Sequence, residues 1–241
     1  MRNYWLIGLL VLVFGWQCMD APSESQPDLP PSEAPDTVTR DSQVSYPEPA
    51  AYKNLAVNPI GKAGFVDMQE MSNQIIQDIR YATDNNFTKS TIYDCPACLL
   101  RPDAADALIQ AQELVAKRGL RIKVFDCYRP RPYQQRLWDK VPDPNYVTPP
   151  SKGSMHSRGA AVDMTLIDRD GKELDMGTPY DFFGKEAHTD YTDLPKEVLE
   201  NRQYLRETME AVGYKGIRTE WWHFSFRKKQ YPLSSFVWPC D

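Results

Sequence analysis

Residues 159–167 read GAAVDMTLI, an apolar, β-forming run with one carboxylate, Asp163, set inside it. A run of this kind reads as a buried strand. An ionised carboxylate is strongly destabilising in such surroundings unless something pairs with it. Whatever fold the chain adopts must bring a partner to Asp163. His156 stands just upstream, before the Arg158-Gly159 turn, and the chain has only three histidines in 241 residues.

A second polar pair lies far downstream in TEWWHFSF, residues 219–226, where Glu220 and His223 flank two tryptophans. A catalytic zinc takes three protein ligands and keeps one position open. His156, Asp163 and His223 would supply two neutral imidazoles and one carboxylate. One zinc ion per chain is therefore the expected cofactor, and it gives Asp163 its partner. Glu220 would take a proton from the water in the open position. Taken singly, each residue has a plainer reading: a core histidine, a turn-capping aspartate, a glutamate paired with an arginine. The combination S-x-H-x-x-G-x-A-x-D with E-x-W-H outweighs those readings. In a straight strand Glu220 and His223 point to opposite faces. The pattern thus predicts a bulge or bend between them.

The surrounding pattern is mixed. Asp67–Ile79 has helical or turn spacing. Pro102–Arg118 reads as a helix, with Pro at its first turn, Ala104, Leu108, Ala111 and Val115 on one face, and Gly119 at its end. Arg121–Asp126 and Gly159–Ile167 read as strands. Tyr133–Lys140 reads as a short helix after the break at Arg129-Pro130-Arg131-Pro132, and 141–150 as a Pro-rich loop. Residues 168–172 (DRDGK) form a hairpin-type turn. Leu194–Val212 reads as a second long helix and Thr219–Phe226 as an aromatic strand. Irregular alternation of this kind predicts a single α+β domain rather than a regular βαβ repeat.

The N-terminus differs in kind. Met1-Arg2 is followed by the apolar run Tyr4–Trp16. That run is short for a membrane span and suits a signal peptide over 1–18. Cys18 just after it is the expected lipidation site. Attachment to a membrane through the N-terminus would follow, so the localisation expected is periplasmic or lipoprotein. Residues 19–62 are rich in Pro, Ser, Glu and Asp and read as an extended tether. The folded domain is then 63–241. Cys95, Cys98, Cys127 and Cys240 remain, and four cysteines allow three pairings. One or two structural disulfides are expected, stapling a loop and the C-terminal tail. The net charge of −5 and the absence of a long basic cluster argue against a nucleic-acid partner.

SMHSRGAAVDMTL (154–166) and EWWHF (220–224) resemble the two metal motifs of the zinc D,D-peptidases, the family of VanX-like D-alanyl-D-alanine dipeptidases (peptidase family M15). The resemblance spans roughly 66–239. It implies a Hedgehog/D,D-peptidase-like fold, a single domain with a central antiparallel sheet and flanking helices, with His156, Asp163 and His223 as zinc ligands and Glu220 as catalytic base. DCYRP (126–130) resembles the family's D-x-Y-R-P and implies that Arg129 stabilises the oxyanion. RYATDNNF (80–87) offers Tyr81 to the substrate pocket. MGTPYDFF (176–183) offers Asp181 to a substrate ammonium, and Ser154 would meet the carboxylate end. The implied reaction is hydrolysis of the D-Ala-D-Ala dipeptide in cell-wall peptide turnover. Two alternatives share the motifs: a D,D-carboxypeptidase or endopeptidase acting on peptidoglycan stem peptides, and a non-catalytic tethered wall-binding module with a structural zinc. The cysteines and the leader are additions to the family's pattern. His188 has no expected role beyond the surface.

Overall fold

Buried apolar strands need neighbours, and the chain supplies them in one five-stranded sheet. A computed structural model describes residues 64–240. The expected signal peptide and tether, with Cys18, fall outside the described residues. In chain order the elements are β1 (Val66–Asp67), α1 (Met68–Met71), β2 (Ile76–Gln77), β3 (Leu99–Leu100), α2 (Pro102–Ala116), β4 (Arg121–Asp126), α3 (Arg131–Lys140), β5 (Ala161–Ile167), α4 (Lys196–Ala211), β6 (Tyr214–Ile217) and β7 (Glu220–Phe226). The main sheet has the order β2-β4-β5-β7-β6, and β1 and β3 form a separate two-stranded ribbon. The described residues belong to one compact unit, so the fold is the expected α+β single domain.

The sheet is antiparallel except at one edge, where β2 runs parallel to β4. A parallel pair needs a long crossover. Here that crossover contains α2, which packs against both β4 and α4. All seven residues of β5 are buried, which puts Asp163 at the centre of the sheet. α2 turns Ala104, Leu108, Ala111 and Val115 into the core, and Tyr214 on β6 donates from its hydroxyl to the Ala104 carbonyl at 2.8 Å.

Two local expectations need correction. The 67–79 segment is helical only over Met68–Met71, because Asp67 caps it and the Ser72-Asn73 turn stops it; Ile76–Gln77 then joins the sheet edge. α3 starts at Arg131 rather than Tyr133, since Pro132 lies in the first turn, where no backbone N–H is needed. β6 and the β1/β3 ribbon were not expected at all, because they carry too few residues to show an alternating pattern.

The cysteines form two disulfides, Cys95–Cys240 and Cys98–Cys127. The first ties down the C-terminal tail, and Trp238 in that tail packs edge-on to Tyr93 and Tyr133. Cys95 and Cys98, three residues apart, are thus both used in structural bonds to distant partners, as expected of stapling disulfides.

Candidate functional site

Asp163 on β5 lies directly opposite His223 on β7 in the antiparallel ladder. Residues paired in this way share a face and bring their side chains together. His156 arrives from a short 3-10 turn, His156–Arg158, that Gly159 ends with φ 69°. A Cβ at Gly159 would run into the Phe65 ring. Gly159→Ala should therefore cost at least about 1–2 kcal/mol, because left-handed backbone is unfavourable for an L-residue. A thermal melt should show Tm falling by roughly 2–8 °C, and an unchanged Tm would mean that the turn is not held as described.

The three side chains converge. Their donor atoms lie within 4.8 Å of one another, and all three residues are buried. His223 Nδ1 is 2.9 Å and His156 Nε2 3.3 Å from Asp163 Oδ1, and the two nitrogens are 3.1 Å apart. The far side of each group is already engaged. His156 Nδ1 meets the Cys127 carbonyl at 2.6 Å, His223 Nε2 meets Ser225 Oγ at 2.9 Å, and Tyr180 donates its hydroxyl to Asp163 Oδ2 at 3.1 Å. Outer partners of this kind fix ring orientation and leave the inner atoms as ligands. Two imidazole nitrogens and a carboxylate oxygen aimed at one another fit a divalent cation. Burial works against the Asp163 charge, but His156 and His223 more than offset it and hold its carboxyl far below the usual range. Burial also opposes a charge on His156, yet Asp163 and Asp126 raise its pKa overall.

Glu220 stands at the edge of this cluster, with Oε2 4.0 Å from His223 Nδ1 and its side chain 29% exposed. The expected irregularity is present. Gly216 pairs with Phe224 but Ile217 pairs with Glu220, so β6 advances one residue where β7 advances four. Burial pushes the Glu220 carboxyl above its ordinary value and Asp163 adds to the rise, with His223 opposing.

Arg129 is 7% exposed, which rules out a surface ion pair. Its Nη2 and Nε donate to Asp126 Oδ2 at 2.6 and 3.0 Å, and Nη1 donates to Gln134 Oε1 at 3.2 Å. Its guanidinium carbon lies 4.8 Å from the centre of the Tyr81 ring. Asp126 also accepts from Tyr93 at 2.6 Å. Sequence reasoning gave no role to Asp126, Tyr93, Gln134 or Tyr180. The one available signal was Asp126 placed three residues before Arg129.

Tyr81 donates its hydroxyl to Asp181 Oδ2 at 3.1 Å. Asp181 adopts the left-handed region at φ 59°, uncommon for a residue other than glycine. Burial, reinforced by Asp163, raises its carboxyl well above the ordinary range. Ser154 Oγ accepts from the His156 backbone N–H at 3.2 Å, so it also braces the turn that carries His156. A cavity of about 280 Å³ is lined by Tyr81, Arg129, Ser154, His156, Asp163, Asp181, Glu220 and His223 together, with Trp222, Tyr146 and Phe183 among its other walls. His188 lies off this cavity, with Nδ1 3.1 Å from Arg218.

A model of the peptidase M15 family, described as D-Ala-D-Ala dipeptidase, matches residues 61–239. The chain belongs to this family. Family membership makes it a metallopeptidase. The D-alanyl-D-alanine dipeptidase of Escherichia coli (strain K12) is 36% identical over 176 residues, covering 73% of this chain and 91% of that one. That of Enterococcus faecium is 32% identical over 197 residues, covering 73% and 98%. That of Enterococcus faecalis is 30% identical over 194 residues, covering 72% and 96%. The M15 match takes in all eight cavity residues named above that the sequence singled out.

Proposed function

We propose that the chain hydrolyses D-alanyl-D-alanine to two molecules of D-alanine, with one zinc ion held by His156, Asp163 and His223. The observation that carries this reading is the meeting of that donor cluster with Glu220, Arg129 and Asp181 in one cavity of about 280 Å³. That volume lies just below the usual span of ligand pockets, about 300–1,000 Å³, and suits a very small substrate. Zinc bound there supplies a Lewis acid that makes water nucleophilic near neutral pH.

The residues of the chain do the rest. Glu220 takes a proton from the attacking water at its carboxylate. The water oxygen bonds to the scissile carbonyl carbon, and Glu220 gives the proton to the departing nitrogen as the C–N bond breaks. Arg129 offers positive charge to the oxygen that gains negative charge. Asp181, with Tyr81 beside it, holds the substrate ammonium. An ammonium there relieves a carboxylate that burial and Asp163 otherwise disfavour. Ser154 faces the carboxylate end.

The same proposal places the domain outside the cytoplasm, acting on wall-derived peptide. Two disulfides in the folded domain and an apolar leader suit an oxidising compartment. The 63–241 segment is then the catalytic domain, 19–62 its tether, and Cys18 its attachment point.

The test is hydrolysis by the full chain of free D-Ala-D-Ala beside a D-Ala-D-Ala-terminated pentapeptide, each with zinc and with chelator. The expected result is chelator-sensitive cleavage of the free dipeptide alone. Cleavage of the pentapeptide would replace the dipeptidase reading with stem-peptide trimming. Cleavage of neither by zinc-bound protein would make the domain a binding module.

A further inference from the structure

One disulfide sits at the metal site rather than at the periphery. Cys98 and Cys127 are both fully buried. Cys127 directly follows Asp126, where β4 leaves the sheet beside Asp163. The Cys127 carbonyl is the group that meets His156 Nδ1 at 2.6 Å. A carbonyl only accepts, so Nδ1 carries the hydrogen, and in the neutral imidazole that a metal requires Nε2 then carries the lone pair. Nε2 is the atom that faces Asp163 and His223.

The short segment 127–129 is stitched on both sides. Tyr128 N donates to the Leu99 carbonyl at 3.0 Å, and Arg129 N donates to the His156 carbonyl at 3.1 Å. The disulfide adds a covalent tie from Cys127 to Cys98. Cys98 is itself fixed, since its carbonyl accepts from Met68 N at 2.9 Å and Leu99 pairs with Asp67 in the ribbon. The bond therefore joins the ribbon to the carbonyl that sets the His156 tautomer. By contrast, Cys95–Cys240 holds the tail, and neither of its cysteines touches a metal ligand or lines the cavity.

We infer that the Cys98–Cys127 disulfide is a positioning element for the metal site, acting on His156 through the Cys127 carbonyl. The inference rests on the reading that His156 is a zinc ligand. Removing the bond frees the carbonyl to move off Nδ1. Asp126 Oδ2, 3.4 Å from Nδ1, would preserve only part of the orientation. Loss of such an outer partner lowers metal affinity about 10–100-fold.

The experiment compares the full chain, Cys98→Ala/Cys127→Ala and Cys95→Ala/Cys240→Ala. Zinc dissociation constants are measured by competition with a chromophoric chelator, and folding is followed by thermal melting. The expected result is a zinc dissociation constant raised at least tenfold in the first variant and less than about twofold in the second. Activity lost by the first variant at limiting zinc should return at saturating zinc, which a merely structural role would not produce. If the first variant does not fold, Cys98→Ala/Cys127→Val, which refills lost volume, takes its place. Equal zinc affinity in both variants would overturn the inference. A wild-type chain that binds no zinc would instead remove the metal reading on which it stands.

Discussion

Glu220→Gln should abolish turnover while zinc stays bound. Glutamine keeps the shape of the side chain and its fit at the β7 bulge, but it cannot accept a proton from water. General acid–base catalysis contributes about 10²–10⁴-fold, and Glu220 would act twice, as base and then as acid. The loss expected in kcat/KM on D-Ala-D-Ala is toward the upper end of that span. Zinc content should not change, because the donor cluster consists of His156, Asp163 and His223 and Glu220 stands outside it. His223→Ala should lose both zinc and activity, since it removes a ligand and leaves Asp163 without its closest imidazole. Parallel measurements of zinc content and hydrolysis separate the two variants. A near-normal rate in Glu220→Gln would reject Glu220 as the base.

The metal cluster was legible because it broke a local rule. A carboxylate in an apolar strand, and a glutamate and histidine three apart in an aromatic one, are inconsistent with a plain core. The bulge followed from the same conflict, since a period of two cannot turn Glu220 and His223 to one side, and β7 does slip against β6 there. The support of Arg129 was not legible. Whether an arginine is buried depends on what closes over it, and Tyr93 and Gln134 reach it from separate segments. Disulfide pairing was hidden for a related reason. Cys95 and Cys98 are close in sequence, yet one bonds to the tail and the other to the end of β4. β6 escaped notice because its four residues include Lys215 and Gly216, which carry no strand signal. The parallel β2 edge depends on the path of the α2 crossover, which residue patterns do not encode.

Arg129→Ala should damage turnover and stability by separate routes, and the two can be pulled apart. Loss of one group that stabilises a developing oxyanion lowers kcat by about 10²–10³-fold. The stability effect comes from Asp126, which is fully buried and takes two of its hydrogen bonds from Arg129. Breaking a buried ion pair by removing one partner costs about 3–5 kcal/mol, because the remaining charge is left uncompensated. For a domain of this size that corresponds to a fall in Tm on the order of 10 °C. Asp126→Asn/Arg129→Ala removes the orphaned charge while keeping a side chain of similar shape, with an amide oxygen still able to accept from Tyr93. It should recover much of the lost Tm. It should not recover turnover, since the guanidinium is still absent from the cavity. If turnover returned along with Tm, Arg129 would be acting only by holding Asp126, and the oxyanion would have to be stabilised without it. If Arg129→Ala kept near-normal kcat/KM on the dipeptide, both the catalytic role and the reason for burying this ion pair beside the metal cluster would fail together.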